Sequence, residues 1–338
     1  MRLLTITLLI LAAITWTVPA VAAPPIRVML LDGESGGSYH NWFETSPYLQ
    51  RMLQDAGIFQ VDRVTVLPSQ DFSTLKPEWS KYQVVVMNYD APDARWPDDL
   101  RASFESYMKN GGGLVTVHAA DNAFPNWKEF NLMIGVGGWR GRNVQTGPHF
   151  YFKDGKLTSD TDAGPAGSHG PRRLPFQLTA RTPDHPIIKG LPAQWMHSGD
   201  ELYDRLRGPG QNMTVLATAH SDPANRGTDN DEPILMALTY GKGRIFHTTM
   251  GHDLAALNCV GFMTTFQRGT EWAATGQVTQ KIPADFPSAD KTSTRKEYDP
   301  PAEWVSGAAP VPGAPGRGGG RGAPGGAGAP PVGRGPGQ

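Results

Sequence analysis

Three short apolar runs in the first third of the chain set the strongest limit on its fold. None of them alternates with polar residues, so each is typical of a strand that is covered on both faces. Helical spacing follows the first run and precedes the third, and one further segment alternates as a half-buried strand does. The order strand, helix, strand, strand, helix, strand predicts an α/β fold with a doubly wound, mostly parallel central sheet. In chain order the segments are Ile26–Gly33, Ser46–Gly57, Phe59–Leu67, Tyr82–Asp90, 96–113 and Leu114–Val117.

The second half of the chain predicts four more strands and a closing helix. The strand-like segments "PFQLTA", "MTVLATA", "ILMALTYG" and "GRIFHTTM" follow at short intervals, and "YGKG" predicts a hairpin turn between the last two. The helix spans about Leu257–Ala274. Between the halves, Gly135–Gly170 is rich in glycine and poor in apolar residues, which predicts a long loop or insertion.

The two ends of the chain differ from its middle. Residues 2–22 hold one Arg, an apolar run and small residues, a pattern typical of a secretory signal peptide cleaved near Ala22 or Ala23. Residues 306–338 are rich in Pro and Gly, so we expect a disordered tail. The predicted organisation is a signal peptide at 1–23, a domain at 24–280, an extension at 281–305 and the tail. We expect a secreted or periplasmic protein without a membrane span after cleavage; an uncleaved N-terminal anchor is the alternative.

Net charge and cysteine content narrow the partners and the means of stabilisation. The formal net charge is −1, so nothing suggests a basic surface and we expect no nucleic-acid partner. Cys259 is the only cysteine, so the core rather than internal disulfides would stabilise an exported chain. The apolar neighbours of Cys259 predict a buried thiol on a helix face.

Three histidines that follow predicted strands are the first candidates for a functional site. His118 ends the strand Leu114–Val117, His252 follows "RIFHTTM" by two residues, and His40 lies in the loop after the first strand. Ligands of open parallel sheets bind at the carboxyl ends of the strands, so we expect these side chains at one edge. Imidazoles there can ligate a divalent metal such as zinc, move protons or bind sugar hydroxyls. A structural role for each histidine is the alternative.

Polar residues elsewhere would complete such a site. Glu201 is a candidate general base or hydroxyl acceptor, and the candidates for binding substrate are His40, His169, Asp200 and Asp253. The pair Asp200–Glu201 has a second interpretation, because acidic residues also cap helices.

Residues beside the glycine-rich loops are further candidates for binding a sugar. The aromatic face of Trp42 could stack on a sugar or close its loop onto the core, and the same holds for Trp139 and Trp195. Arg140 is a further candidate for substrate binding. We expect the remaining histidines either in loops (His149, His185, His220) or packed within a strand (His247).

Five motifs occur in an order that resembles the ThuA-like family, named for trehalose utilisation. They are "GGGLVTVHAA", "DHPIIKGLP", "DELYDRLRG", "TVLATA" and "YGKGRIFHTTMGHD", and the resemblance spans about Ile26–Thr275. It implies the fold of class I glutamine amidotransferases, a flavodoxin-like three-layer sandwich. It also implies a role in carbohydrate metabolism, with a small-molecule carbohydrate as partner.

The resemblance also relates this chain to the amidotransferase site. His118 matches the position of the amidotransferase cysteine, and "GHD" matches the motif of its histidine. No cysteine lies near His118, and Cys259 on the closing helix cannot replace it, so cysteine-dependent glutamine hydrolysis is excluded. His169 corresponds to the family's histidine before "PF". The segment Thr146–Gly167 ahead of it lies outside the family pattern and could act as a lid or select the substrate.

These observations predict an exported enzyme that acts on a sugar or glycoside. His118, His252 and Glu201 would be its catalytic residues, through acid/base chemistry or as ligands of a metal. His40, His118 and His252 are the candidate ligands of that metal. One alternative is a non-catalytic carbohydrate-binding module that uses the same cleft, and another is an envelope-associated protein whose tail matters more than its pocket.

Overall fold

The apolar runs of the N-terminal half form neighbouring strands of one central sheet. This computed structural model describes residues 23–36, 40–162 and 164–299, so the expected signal peptide up to Ala22 and the Pro/Gly-rich tail lie outside the described residues. The strands are β1 (Ile26–Asp32), β2 (Phe59–Thr65), β3 (Val84–Met87), β4 (Gly113–Val117), β5 (His149–Lys153), β6 (Lys156–Asp160), β7 (Ser168–His169), β8 (Phe176–Ala180), β9 (Gln194–His197), β10 (Tyr203–Asp204), β11 (Met213–His220), β12 (Asp231–Tyr240) and β13 (Gly243–Thr248). The helices are α1 (Trp42–Asp55), α2 (Asp98–Lys109), α3 (Lys128–Ile134), α4 (Leu254–Leu257) and α5 (Val260–Thr275).

Five strands form the parallel half of the sheet, in the order β2–β1–β3–β4–β13. The inner strands β1, β3 and β4 are almost wholly buried, which explains why their sequences show apolar runs instead of alternation. Because these strands are parallel, their carboxyl ends lie at the same edge. Segments that follow different strands therefore meet there.

The sheet continues beyond β13 with antiparallel strands. β12, β11, β8 and β9 follow in that order, and the β5–β6 hairpin attaches to β12. A separate two-stranded ladder of β7 and β10 pairs His169 with Tyr203. The predicted α/β fold on a large central sheet with a parallel core is confirmed. Of the strands predicted in the second half, β13 completes the parallel half, and β8, β11 and β12 belong to the antiparallel continuation.

Helices cover both faces of the parallel half. On one face, α1 and α5 bury Leu49, Phe262 and Phe266 completely. On the other face, α2 and α3 bury Phe104 and Phe130 completely. Each such side chain contributes roughly 1.5–3 kcal/mol on burial, so two apolar layers stabilise the sheet between them. Across the described residues, no helix combines the length and apolarity needed to cross a membrane.

The glycines of "GGGLVTVH" let β4 run close to its neighbours. Gly111 has a φ of +110°, which only glycine adopts readily, and it follows the end of α2. A Cβ atom on Gly113 would lie 2.6 Å from the carbonyl oxygen of Ala273 in α5. The glycines therefore allow the close approach of β4 and α5 that sets the position of His118 at the strand's end.

Two segments differ from the sequence-based expectation. Gly135–Gly170 is not one long loop, because it contains the β5–β6 hairpin, and His149, which we expect in a loop, is buried in β5. Asp154–Gly155, with φ values of 52° and 73°, forms the tight turn that the glycine-rich composition obscured. The closing helix α5 begins at Val260 rather than at about Leu257, which is instead the last residue of the short helix α4.

Residues 281–299 pack back onto the domain. The backbone N–H of Met196 donates to the carbonyl oxygen of Ser288 at 2.8 Å, and that of Val260 donates to Ser293 at 2.9 Å. Tyr298 is buried in the same apolar core as the buried residues of α1. This part of the predicted extension thus covers the face that carries α1 and α5.

Candidate active site

The carboxyl ends of the parallel strands bring His40, His118 and His252 together. His118 directly follows β4, His252 follows β13, and His40 lies in the loop between β1 and α1. Their ring centroids are 5.0–5.2 Å apart. All three side chains therefore lie at one edge of the sheet, while their catalytic or ligating roles stay predictions.

The backbone at His118 fixes the orientation of its ring. Its φ is 47°, in the left-handed region that non-glycine residues adopt rarely. Such strain persists where the surrounding structure enforces it, and it is frequent at active sites. The Nδ1 atom lies 2.7 Å from the carbonyl oxygen of Thr249, so Nδ1–H donates there. The Nε2 atom then faces the other two histidines as an acceptor.

Glu201 joins the histidines from the second half of the chain. Its Oε2 atom lies 3.0 Å from Nδ1 of His252, 3.7 Å from Nε2 of His118 and 3.9 Å from Nε2 of His40. One ligand atom from each of these four residues lies within 4.8 Å of every other. We call His40, His118, Glu201 and His252 the His–Glu cluster.

Electrostatic coupling within the His–Glu cluster favours an ionised carboxylate. Burial opposes ionisation of Glu201, but the interactions of its carboxylate with His118, His252 and His40 outweigh burial and hold the pKa of Glu201 well below its ordinary value. Burial lowers the pKa of His40. Burial also opposes the charge of His118, yet Glu201 and Asp200 raise the pKa of His118 above its ordinary value. A cluster of coupled histidines and a carboxylate can release protons when it binds a metal cation.

Asp200 lies beneath the His–Glu cluster rather than in it. Its buried carboxylate accepts hydrogen bonds from the backbone N–H groups of Gly251, His252 and Glu201 at 2.8, 3.2 and 2.8 Å. It also lies 3.0 Å from Nε2 of the buried His197. Asp200 therefore ties together the two segments that carry His252 and Glu201. The substrate contact expected of it is not compatible with this burial.

Tyr203 also belongs to the site, although no sequence pattern predicts it. Its hydroxyl oxygen lies 2.8 Å from Nε2 of His118 and 3.3 Å from Nε2 of His40, and its ring stacks on His118 with centroids 4.2 Å apart. Burial raises the pKa of Tyr203 well above its ordinary value, and nearby carboxylates add to this, so the hydroxyl keeps its proton. Its ladder partner His169 brings an Nε2 atom 3.9 Å from Oε2 of Glu201.

A cavity of about 480 Å³ opens beside the His–Glu cluster. Asp90 and Asn122 line it but were not predicted from the sequence. Both follow strands that end at this edge, and that position is the signal that identifies them. We call this space the site cavity, and it is lined by Gly36, His40, Asp90, Asn122, Trp139, Arg140, His169, Glu201 and Tyr203.

Besides Asp200, the predicted binding residues Trp42 and Asp253 lie outside the site cavity. Trp42 is the first residue of α1, is buried, and contacts Phe43 edge to face. Asp253 caps α4 by accepting two backbone N–H groups, and it pairs with Arg173. Contacts within the fold hold the side chains of Trp42 and Asp253. Neither side chain lies where it would touch a ligand in the site cavity.

The other histidines also stay apart from the site. His247 is fully buried within β13, in keeping with a packing role, and His149 pairs with Glu232 at 2.9 Å. His185 lies in a turn, and His220 is the exposed last residue of β11.

Comparison with known proteins identifies the family. Residues 27–273 match the family model ThuA, described as trehalose utilisation. A ThuA-like protein from Parabacteroides merdae is 44% identical in sequence, with a TM-score of 0.77 over 82% of this chain and 100% of that chain. One from Bacteroides uniformis is 21% identical, with a TM-score of 0.51 over 79% of this chain and 99% of that chain, and shows the fold alone. A search of curated proteins gave no match. The family match over most of the sequence confirms the resemblance of its motifs, and the chain belongs to the ThuA family.

Proposed function

We propose that this protein is a carbohydrate-active enzyme with a divalent metal centre held by His40, His118, His252 and Glu201. The convergence of their four ligand atoms within 4.8 Å carries the proposal. These residues come from four separate segments, and they meet at the edge of the sheet where ligands of parallel sheets bind. A purely structural cluster does not require this accumulation of imidazoles beside a cavity.

The donor chemistry of the His–Glu cluster suits zinc. Imidazole nitrogen and carboxylate oxygen are ligands that Zn²⁺ prefers, and tetrahedral coordination at their usual bond lengths separates neighbouring donor atoms by roughly 3.3 Å. Separations of 3.0, 3.2 and 3.7 Å among His118, His252 and Glu201 are close to this value. The hydrogen bond that Nδ1–H of His118 donates to the carbonyl oxygen of Thr249 is of the kind that orients a metal-binding histidine. A bound divalent cation would polarise a substrate oxygen or acidify a water molecule.

His169 and Tyr203 are the residues that we expect to hold and move protons. The Nδ1 atom of His169 lies 2.8 Å from the carbonyl oxygen of Gly170 and donates there, which leaves Nε2 as the basic nitrogen near Glu201. The protonated hydroxyl of Tyr203 is a donor beside His118. A base and a donor on one short ladder can serve proton transfer to and from a sugar hydroxyl.

We further infer a flavodoxin-like, three-layer arrangement related to class I glutamine amidotransferases. The order β2–β1–β3–β4–β13 corresponds to the 2-1-3-4-5 order of flavodoxin-like sheets. Cys259 is buried next to α5 and does not line the site cavity, which supports a chemistry that does not depend on a thiolate. Thr146–Gly167, which holds the β5–β6 hairpin, would be an insertion into this arrangement.

The substrate class and the location are separate parts of the proposal. The family description, trehalose utilisation, supports a small-molecule carbohydrate as substrate. The composition of residues 2–22 supports export to the periplasm or the medium. The near-neutral charge gives no support for a nucleic-acid partner.

Metal analysis of the full chain, purified without a histidine tag, tests the metal centre. We expect stoichiometric zinc or another divalent metal in the wild type and loss of that metal in His118→Ala and His252→Ala. The matched control is His220→Ala, which removes an exposed imidazole and should keep the metal. Chelation should abolish turnover of a panel of glycosides, and added zinc should restore it.

Three results would contradict the proposal in different ways. A wild-type protein without metal, or retention of metal in both alanine variants, would exclude the metal centre. Sugar binding without turnover of any glycoside, with metal present, would favour the binding module over the enzyme.

A further inference from the structure

We propose that the site cavity contains a subsite for an uncharged, polyhydroxylated ring and that Asp90 determines this selectivity. The inference rests on the proposed function, because the subsite would hold the ring next to the His–Glu cluster. It is carried by a neutralised ion pair, an unpartnered amide oxygen and an aromatic face in the same wall.

The ion pair joins Asp90 to Arg140. The Nε atom of Arg140 donates to Oδ1 of Asp90 at 2.8 Å, and the exposed fractions of the two side chains are 27% and 2%. Arg140 is the one Lys or Arg among the described residues that line the site cavity, and Asp90 already balances its charge. The wall therefore offers donors and acceptors to hydroxyl groups, but no Lys or Arg side chain that is free to pair with a phosphate or carboxylate.

The unpartnered group is the side-chain oxygen of Asn122. Asn122 is 6% exposed, and its Oδ1 atom has no hydrogen-bond partner among the described residues. Buried acceptors are rarely left unpaired, because they lose their bonds to water without replacement. A hydroxyl group of a ligand in the site cavity would supply the missing donor.

The aromatic face belongs to Trp139. Trp139 and Arg140 have φ values of 51° and 47°, so two consecutive non-glycine residues adopt the left-handed conformation. This backbone places the indole 4.6 Å from the ring of Tyr203, measured between centroids. The apolar face of a sugar ring can pack on such an aromatic surface, whereas an acyclic anion gains little from it.

Gly36 leaves space beside the ion pair. A Cβ atom at this position would collide with Oδ2 of Asp90 and would lie 3.6 Å from Nη2 of Arg140. The φ of Gly36 is not left-handed, so Gly36→Ala tests the space beside Asp90 rather than a strained backbone.

Calorimetric titration of the full chain with trehalose, methyl α-glucoside and trehalose 6-phosphate tests the subsite. We expect the wild type to bind a neutral probe and to discriminate at least tenfold against the phosphate. Asp90→Asn should weaken neutral binding about tenfold, because a charged hydrogen-bonding group is lost. Asp90→Asn should also reduce the ratio of affinities between the neutral probes and the phosphate, because the charge of Arg140 is no longer balanced. Gly36→Ala should weaken binding of all probes.

Glu34→Gln is the matched control. Glu34 is also a carboxylate paired with an arginine, Arg95 at 2.6 Å, but it does not line the site cavity. The Glu34→Gln variant should bind each probe with the same affinity as the wild type. The proposal is overturned if the wild type binds no neutral probe, if it binds the phosphate equally well, or if Asp90→Asn leaves all affinities unchanged.

Metal content of the same samples separates this inference from the proposed function. Asp90→Asn should retain the wild-type metal content, because Asp90 is not in the His–Glu cluster. A wild type that lacks metal but still prefers neutral probes through Asp90 would overturn the proposed function alone. If Asp90→Asn does not fold, Arg140→Gln removes the other partner at a partly exposed position. It should weaken neutral binding by a similar factor, and unchanged binding would overturn the subsite.

Discussion

The Nε2 atom of His118 lies 3.2 Å from Nδ1 of His252, although 134 positions separate the two residues in the sequence. The contact arises because β13 pairs in parallel with β4 and each histidine follows its strand. Two protonated imidazoles at this distance would repel each other, so the pair favours a shared proton or a shared cation. The sheet topology thus brings together two residues of the proposed metal centre.

Zinc should therefore stabilise the folded chain. A ligand that binds only the native state adds roughly 2.7 kcal/mol at a concentration one hundred times its Kd. We expect the Tm of metal-stripped protein to rise by several degrees on addition of zinc and His252→Ala to lose this response. Scanning fluorimetry against zinc concentration measures it, with His220→Ala as the control. An equal rise in His252→Ala would argue against His252 as a ligand.

The sequence predicts the edge of the sheet but not all of its chemistry. His118 and His252 can be placed because each follows a segment with a strand-like sequence, β4 and β13 respectively. Tyr203 cannot be placed in this way, because its contact with His118 spans 85 positions and leaves no periodic pattern. The sequence suggests a binding role for Asp200, because local sequence does not distinguish a buried carboxylate from an exposed one.

Tyr203→Phe should separate proton transfer from metal binding. The variant keeps the ring that stacks on His118 but removes the hydroxyl donor. We expect metal content to stay at the wild-type level and kcat to fall by roughly 10²-fold or more, the usual contribution of a proton donor. Steady-state kinetics with parallel metal analysis checks this. Tyr107→Phe is the control, since its hydroxyl donates to the carbonyl of Gly113 away from the site cavity. A similar loss of kcat in both variants would assign the effect to stability.

Asp200→Asn should destabilise the fold and weaken metal binding together. Burial opposes the charge of His197, but Cys259 and Asp200 raise the pKa of His197 to about 10, so the buried pair is ionic. Removing one partner of such a pair costs roughly 3–5 kcal/mol, because the other charge stays buried. Urea unfolding measures the loss of stability.

The double variant His197→Gln/Asp200→Asn is the control for this pair. It removes both charges and should recover part of the lost stability, because residues in contact do not contribute additively. Unchanged urea midpoints in Asp200→Asn, or fully additive losses in the double variant, would show that the pair is not ionic.

His185 should make stability depend on pH below neutrality. Burial next to Trp272 lowers the pKa of His185 from 6.5 to about 4, and its Nδ1 atom accepts the N–H of Ile187 at 3.3 Å, which requires the neutral ring. The unfolded chain therefore binds the extra proton first as pH falls. The stabilising contribution is complete above pH 6.5, declines between pH 6.5 and about 4, and is absent below that range.

In His185→Asn the amide oxygen can still accept from Ile187, but the side chain no longer titrates. Urea midpoints at pH 7 and pH 5 should differ less in His185→Asn than in the wild type, whereas the exposed-site variant His220→Asn should follow the wild type. Equal pH dependence in His185→Asn and the wild type would mean that His185 titrates alike in the folded and unfolded chains.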